Sequence, residues 1–239
     1  MPDGLRGRRV VVAGGSGGLG SATARLLVEE GADVVAGSLR SAGGGPSGAG
    51  FERTISADLT SATGRKLLLD AAPDLYGLAV FVGDPARVSD PARLEEAMRR
   101  SFEVNYLGPV LLAREAVERM RAAATPGAVV LLGTMQAVAV FPGSTAYASQ
   151  KAALVTAARV LAKECRAANI RVNVVCPGVT SVGMARASIA AGKYDRFLNE
   201  GFVPRFGAAL DVARAVRFLL EPDNYITGQV LTVDGGLTL

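Results

Sequence analysis

Apolar positions fall into short runs without polar alternation, separated by longer stretches in which apolar residues recur every three to four positions. The short runs are Arg9 to Ala13, Asp33 to Ala36, Phe51 to Ser56, Leu78 to Val82, Ala128 to Gly133, Arg171 to Cys176 and Val230 to Val233. Within them, Val10-Val11-Val12 and Val129-Val130-Leu131-Leu132 offer no polar face, as a parallel strand covered by helices on both sides requires. Helical periodicity occupies Leu19 to Glu30, Ala92 to Ala122, Ala146 to Ala167 and Asp211 to Leu220. The alternation predicts an α/β fold, a doubly wound parallel sheet of about seven strands with helices on both faces. The 239 residues suit one such domain, 1–239.

Two segments break the alternation. Ser41 to Gly50 is a Gly/Pro/Ser stretch that reads as a surface loop between the second and third strands. The stretch from Val179 to Phe206 is irregular and holds Met184, Tyr194, Phe197, Phe202 and Phe206. It reads either as an apolar lid over a substrate or as aromatic packing at a subunit contact.

Composition narrows the chemistry. Hydrophobic residues make up 49% of the chain, enough for a large core. No apolar stretch reaches the roughly 18 residues of a spanning helix, and the N-terminal residues lack a leader-like run, so a cytoplasmic protein without membrane contact is expected. The net charge of +4 comes from arginines scattered along helices rather than gathered in a patch, which argues against a nucleic-acid partner. Histidine is absent, which excludes Ser-His-Asp, Cys-His and HExxH machinery. Cys165 and Cys176 have no metal-like or redox-like spacing and read as reduced packing residues, and no metal site is expected.

The first strand runs into Gly14-Gly15-Ser16-Gly17-Gly18-Leu19-Gly20 and then a helix. In that setting Gly14 supplies a tight turn, Gly18 lets the backbone approach a pyrophosphate, and Gly20 permits close helix-on-strand packing. The helix start offers unpaired N–H groups and a positive dipole end. The turn therefore predicts a dinucleotide site in a Rossmann-type domain, with residues 1–125 mainly binding the dinucleotide and 126–239 forming the catalytic and substrate side. An acidic residue at the end of the second strand would accept the ribose 2′-hydroxyl of NAD. Here the residues are Ala36-Gly37-Ser38-Leu39-Arg40, and Ser38 with Arg40 suits a 2′-phosphate instead. NADP(H) is the expected cofactor, with NAD(H) as the other dinucleotide the turn admits; Arg40 reads equally as a solvated loop charge.

Tyr147 and Lys151 stand four residues apart in a helical segment and share one face. Of 26 Lys and Arg residues only Lys66, Lys151, Lys163 and Lys193 are lysine, so a compact ammonium at 151 stands out in an arginine-rich chain. Thr134 ends the fifth strand thirteen residues before Tyr147.

On these residues the chain resembles the short-chain dehydrogenase/reductase family over nearly its whole length, and in particular its 3-oxoacyl-[acyl-carrier-protein] reductase-like members. Ala13 to Gly20 is similar to the family's TGxxxGxG turn, Asp58-Leu59 to its adenine-side acidic motif, and Asn105 to its active-site asparagine. Tyr147 to Lys151 is similar to its YxxxK, Pro177-Gly178-Val179 to its PG turn, and Tyr225 to Gly236 to its C-terminal segment. The resemblance implies hydride transfer between a nicotinamide and a carbonyl or secondary alcohol, with Tyr147 as acid/base. It implies that Lys151 and an oxidised nicotinamide together lower the phenol pKa, that Lys151 binds the nicotinamide ribose, that Thr134 bonds the substrate oxygen, and that Asn105 holds a water linking Lys151 to solvent. It also implies cofactor contacts at Gly83 and a homo-oligomer, tetramer or dimer. The partner would be a small-molecule carbonyl or alcohol.

Several positions depart from the family pattern. Thr134 stands where serine is usual, Ala13 where threonine is, Val80-Phe81-Val82-Gly83 where NNAG is, and Val182 where a threonine contacts the carboxamide. These keep open a non-catalytic nucleotide-binding protein on the same fold. A narrower alternative is a carrier-bound 3-oxoacyl thioester as substrate, met by surface arginines such as Arg121 and Arg166.

Overall fold

The computed structural model describes residues 4–39, 53–88 and 90–239. Its strands are β1 (Arg9–Ala13), β2 (Asp33–Ser38), β3 (Arg53–Ser56), β4 (Leu75–Val80), β5 (Gly127–Leu132), β6 (Ile170–Pro177) and β7 (Val230–Val233). They form one parallel sheet in the order β3-β2-β1-β4-β5-β6-β7.

The longer helices are α1 (Gly18–Glu29), α2 (Ala62–Asp70), α3 (Leu94–Phe102), α4 (Gly108–Ala122) and α5 (Thr145–Cys165). The short α6 (Arg186–Ala190) and α7 (Asp195–Asn199) are followed by α8 (Ala209–Leu220). Successive residues of each strand serve opposite faces. Val11 and Ala13 pack with α2, α4 and α5 through Leu68, Leu112, Val117 and Leu154. Val10 and Val12 pack with α1 and α8 through Ala24, Leu27, Val212 and Val216. Two apolar faces explain the unalternating runs. Strand order reverses between β1 and β4, and the carboxyl ends of these strands flank a crevice where such folds bind ligands.

The sheet and its seven strands agree with the sequence reading, and four local expectations are corrected. β4 begins at Leu75 rather than Leu78 and ends at Val80. Gly77 interrupts the apolar pattern there, and it packs tightly, since a Cβ at that position would lie 3.1 Å from Val10 Cγ2. Residues 92–122 are not one helix: a π-helical turn, Glu103–Leu107, separates α3 from α4. Pro109 has no N–H to return to the carbonyl of Asn105, and the ladder widens just before it. α2 was not anticipated, although Ser61 caps it by accepting from Gly64 N at 3.0 Å. The irregular reading of 179–206 gives way to α6 and α7, each five residues long. Phe51 and Glu52, the start of the expected third strand, and the Ser41 to Gly50 loop lie outside the described residues. Among the described residues no helix is long and apolar enough to cross a membrane.

Candidate active site

β1 passes directly into the glycine turn. Gly14 has φ +84°, a backbone open to glycine and costly for other residues. Gly17 N–H donates to the Gly14 carbonyl at 3.0 Å and closes the turn. A Cβ on Gly20 would collide with that same carbonyl, and a Cβ on Gly18 would come within 2.9 Å of Val182 Cβ. α1 begins with no side-chain cap on its first N–H groups. An uncapped helix start behind a turn stripped of Cβ atoms fits a dinucleotide diphosphate. Ser16 and Ser38 share a hydrogen bond of 2.8 Å between their hydroxyls, tying the turn to the end of β2. Arg40 lies outside the described residues.

Asp58 is exposed and accepts from the N–H and hydroxyl of Thr60 at 2.9 and 2.8 Å, shaping the turn into α2. Leu59 is buried in the core, and its carbonyl accepts from Arg65 Nη1 at 3.0 Å. These two residues stand on the β2–β3 side of the sheet.

Thr134 follows β5 and is buried, opening a short helical turn, Met135–Ala137. Tyr147 lies in the first turn of α5 and is half-buried. Removal from water pushes its phenol up to about 12, while a hydrogen bond with the Thr134 hydroxyl and the charge of Arg87 pull the other way. Lys151, one turn on, is fully buried, and burial pulls its ammonium down to about 8. Its Nζ donates to the carbonyls of Leu132 at 2.8 Å and Val82 at 3.2 Å. The ammonium is directed at the ends of β4 and β5, and the phenol is raised. Cys176, at the end of β6, is buried, and its thiol is pushed up to about 11, so it stays neutral between the two.

Asn105 sits in the π-helical turn and is completely buried. Its Oδ1 accepts from Asp84 N at 2.8 Å, and its Nδ2 reaches Asp84 O at 2.6 Å, Ser101 Oγ at 2.7 Å and Gln150 Oε1 at 2.9 Å. Ser101 Oγ also donates to Gln150 at 2.7 Å. The partners of this amide are the loop after β4, helix α3 and helix α5. Ser101 and Gln150 carried no recognisable motif and were not anticipated.

A cleft of about 370 Å³ gathers much of this set. Gly14, Gly17, Gly18, Leu19, Gly20, Gly83, Thr134 and Tyr147 line it. Pro177, Gly178 and Val179 enter from the end of β6, and Val182 to Ala185 cross in front of the glycine turn. Ser16, Ser38, Asp58, Leu59, Asn105 and Lys151 do not line it; of these, Lys151 and Asn105 support its wall from behind. Arg87 and Lys193 line the cleft without having been singled out in the sequence.

The crevice at the switch point, the glycine turn and the facing phenol define a Rossmann-type protein with a composite cleft. A family model described as enoyl-(acyl carrier protein) reductase matches residues 13–238. Carbonyl reductase family member 4 of Danio rerio is 34% identical over 240 residues, covering 97% of this chain and 98% of that one. The 3-oxoacyl-[acyl-carrier-protein] reductase of Bos taurus is 33% identical over 237 residues, covering 95% and 97%. A solved short chain dehydrogenase/reductase family protein superposes with a TM-score of 0.80 at 32% identity, covering 97% of each chain. The chain belongs to the short-chain dehydrogenase/reductase family of oxidoreductases.

Proposed function

We propose that this protein is an NADP(H)-dependent oxidoreductase that interconverts a small-molecule carbonyl and the corresponding secondary alcohol, with Tyr147 as general acid/base. When bound, the nicotinamide supplies or accepts the hydride. The observation that carries the reading is the Tyr147–Thr134 hydroxyl pair on the wall of the cleft that the glycine turn opens into.

Each residue has a task that its position supports. A phenol near 12 is protonated at neutral pH and is ready to give its proton to a carbonyl oxygen. Thr134 presents a hydroxyl where charge develops on that oxygen. Lys151, near 8, keeps most of its charge at neutral pH, holds the ends of β4 and β5 in place, and stabilises the phenolate left after proton transfer. Asn105 fixes the loop leading from β4 against α5. Gly14, Ser16, Gly17, Gly18, Leu19 and Gly20 take the diphosphate, and Gly83, Pro177, Gly178 and Val179 border the nicotinamide. Asp58 and Leu59 serve the adenine side.

The preference for NADP(H) rests on the end of β2, where Gly37-Ser38 offers a hydroxyl and no carboxylate, with Arg40 following in sequence. A carrier-bound thioester has less support: Arg121 pairs with Glu118 at 2.9 Å and also donates to the Glu164 carbonyl, so that cation is already engaged. Half-exposed Leu94, Met98, Phe102 and Val160 on α3 and α5 support a homo-oligomer.

Fluorescence titration of the protein with NADPH and, separately, NADH tests the cofactor reading. Tighter binding of NADPH is expected. A tenfold kinetic preference for NADH, roughly 1.4 kcal/mol, contradicts the assignment at Ser38 and Arg40. Binding of neither favours a non-catalytic role.

A further inference from the structure

Among the described residues, two cations and no carboxylate line the cleft. Arg87 lies on the loop that leaves β4, and Lys193 on the turn between α6 and α7; both are exposed side chains lining the same cavity as Tyr147. Among the described residues neither forms an ion pair. The neighbouring acid Asp84 is committed elsewhere, to Arg100 at 2.9 Å and to the Ala86 N–H at 2.8 Å. Lys193 has only the face of Tyr194, with its Nζ 5.8 Å from the ring centroid. Most arginines of known partner in this protein sit against a carboxylate, as Arg9, Arg65, Arg119, Arg205 and Arg217 do. Arg87 and Lys193, outside any ion pair among the described residues and lining one cavity, mark it as a place for an anion.

Location separates this anion from the cofactor. The diphosphate has its own proposed place at the glycine turn and the uncapped start of α1. Arg87 by contrast acts on the Tyr147 phenol, because its charge is among those that favour the phenolate. Arg87, Lys193 and Tyr147 line one cavity of about 370 Å³, so an anion held by the two cations shares it with the phenol. An anion held there belongs to the molecule being reduced or oxidised, close to its carbonyl or carbinol carbon.

We propose that the substrate is a small oxo or hydroxy carboxylic acid whose carboxylate is held between Arg87 and Lys193; this rests on the oxidoreductase reading above. The planar guanidinium suits a carboxylate through two parallel N–H donors, and the ammonium adds a second charge from a different element. Pro85, Met184 and Tyr194 line the remaining wall and leave room for an apolar tail.

The test measures binding by calorimetry in the presence of NADP+, which prevents turnover of the ketone. The ligands are 2-oxobutanoate and 3-oxobutanoate, each against its own methyl ester. Wild-type protein should bind at least one acid about tenfold more tightly than its ester. The Arg87→Gln/Lys193→Gln double variant, altered only at exposed side chains, should bring that ratio close to one. Equal or weaker binding of both acids in the wild type, undetectable binding included, overturns the proposal, as does a ratio that the double variant leaves unchanged. Acid preference without NADPH oxidation by any carbonyl keeps the anion site and removes the oxidoreductase reading. Reduction of neutral ketones with no acid preference does the reverse.

Discussion

Asn105 donates from Nδ2 to Oε1 of Gln150 across 2.9 Å, joining the π-helical turn to the residue immediately before Lys151. Gln150 accepts from Ser101 as well, and its own amide donates to the Met98 carbonyl at 3.2 Å. Every polar atom of this buried cluster thus has a partner, and the loop that brings Gly83 and Arg87 to the cleft hangs from it through Asp84. Replacing Gln150 by leucine removes the acceptor that Ser101 and Asn105 share, leaves both to crowd onto the Asp84 carbonyl, and strips the Met98 carbonyl of its side-chain donor. A loss of roughly 1–3 kcal/mol is expected. At about 2–4 °C per kcal/mol for a domain of this size, thermal unfolding should shift down by several degrees. An unchanged Tm contradicts the bracing role.

Lys151 gives a pH dependence of stability with a definite sign. Its pKa falls from 10.5 in the unfolded chain to about 8 in the folded one. Between those values the unfolded state binds more protons, so stability rises as pH rises from about 8 toward 10. Below pH 8 both states carry the proton and the full cost of the buried charge remains. Tyr147 acts in the opposite sense at higher pH: its pKa is about 12 in the fold against 10.0, so stability falls above pH 10. Urea unfolding at pH 7.5 and 9.5 should show the increase in wild type and lose most of it in Lys151→Met.

Gly18 tests the geometry of the turn. The Gly18→Ala substitution places a methyl 2.9 Å from Val182 Cβ and 3.1 Å from Gly183 N, so the crossing segment must move. NADPH affinity, read by fluorescence, should fall by about tenfold or more, equivalent to roughly 1.4 kcal/mol. The Val182→Gly substitution in the same chain should recover part of that loss, because it removes the Cβ that the new methyl meets and leaves only the Gly183 N contact. Equal affinity in all three proteins contradicts a close approach of cofactor to this turn.

The sheet was legible in the sequence because parallel strands buried on both faces have a distinctive pattern, as at Val10 to Val12 and Val129 to Leu132. The glycine turn and the Tyr147/Lys151 pair were legible because their spacing is local. The π-helical turn was hidden: apolar periodicity runs through residues 92–122, and only Gly108-Pro109 marks the break. α2 was missed because Ala62 to Asp70 carries Gly64 and two basic residues in a weak pattern. The Ser101–Asn105–Gln150 cluster and the Arg87/Lys193 pair are tertiary, assembled from residues 49 and 106 positions apart, and no short pattern encodes them. The upward push on the phenol also lay outside the sequence reading, since it comes from burial of Tyr147, which depends on the packed tertiary structure.

The Tyr147→Phe substitution tests the central claim most directly. It removes one hydroxyl from the cleft wall and leaves the glycine turn and the ring in place. Rates of NADPH oxidation should be measured with a panel of ketones and oxo acids, alongside NADPH affinity by fluorescence. Unchanged NADPH affinity and a fall in turnover of about 10²–10⁴, the usual contribution of a positioned acid, are expected. A phenylalanine variant that turns over at the wild-type rate contradicts that claim.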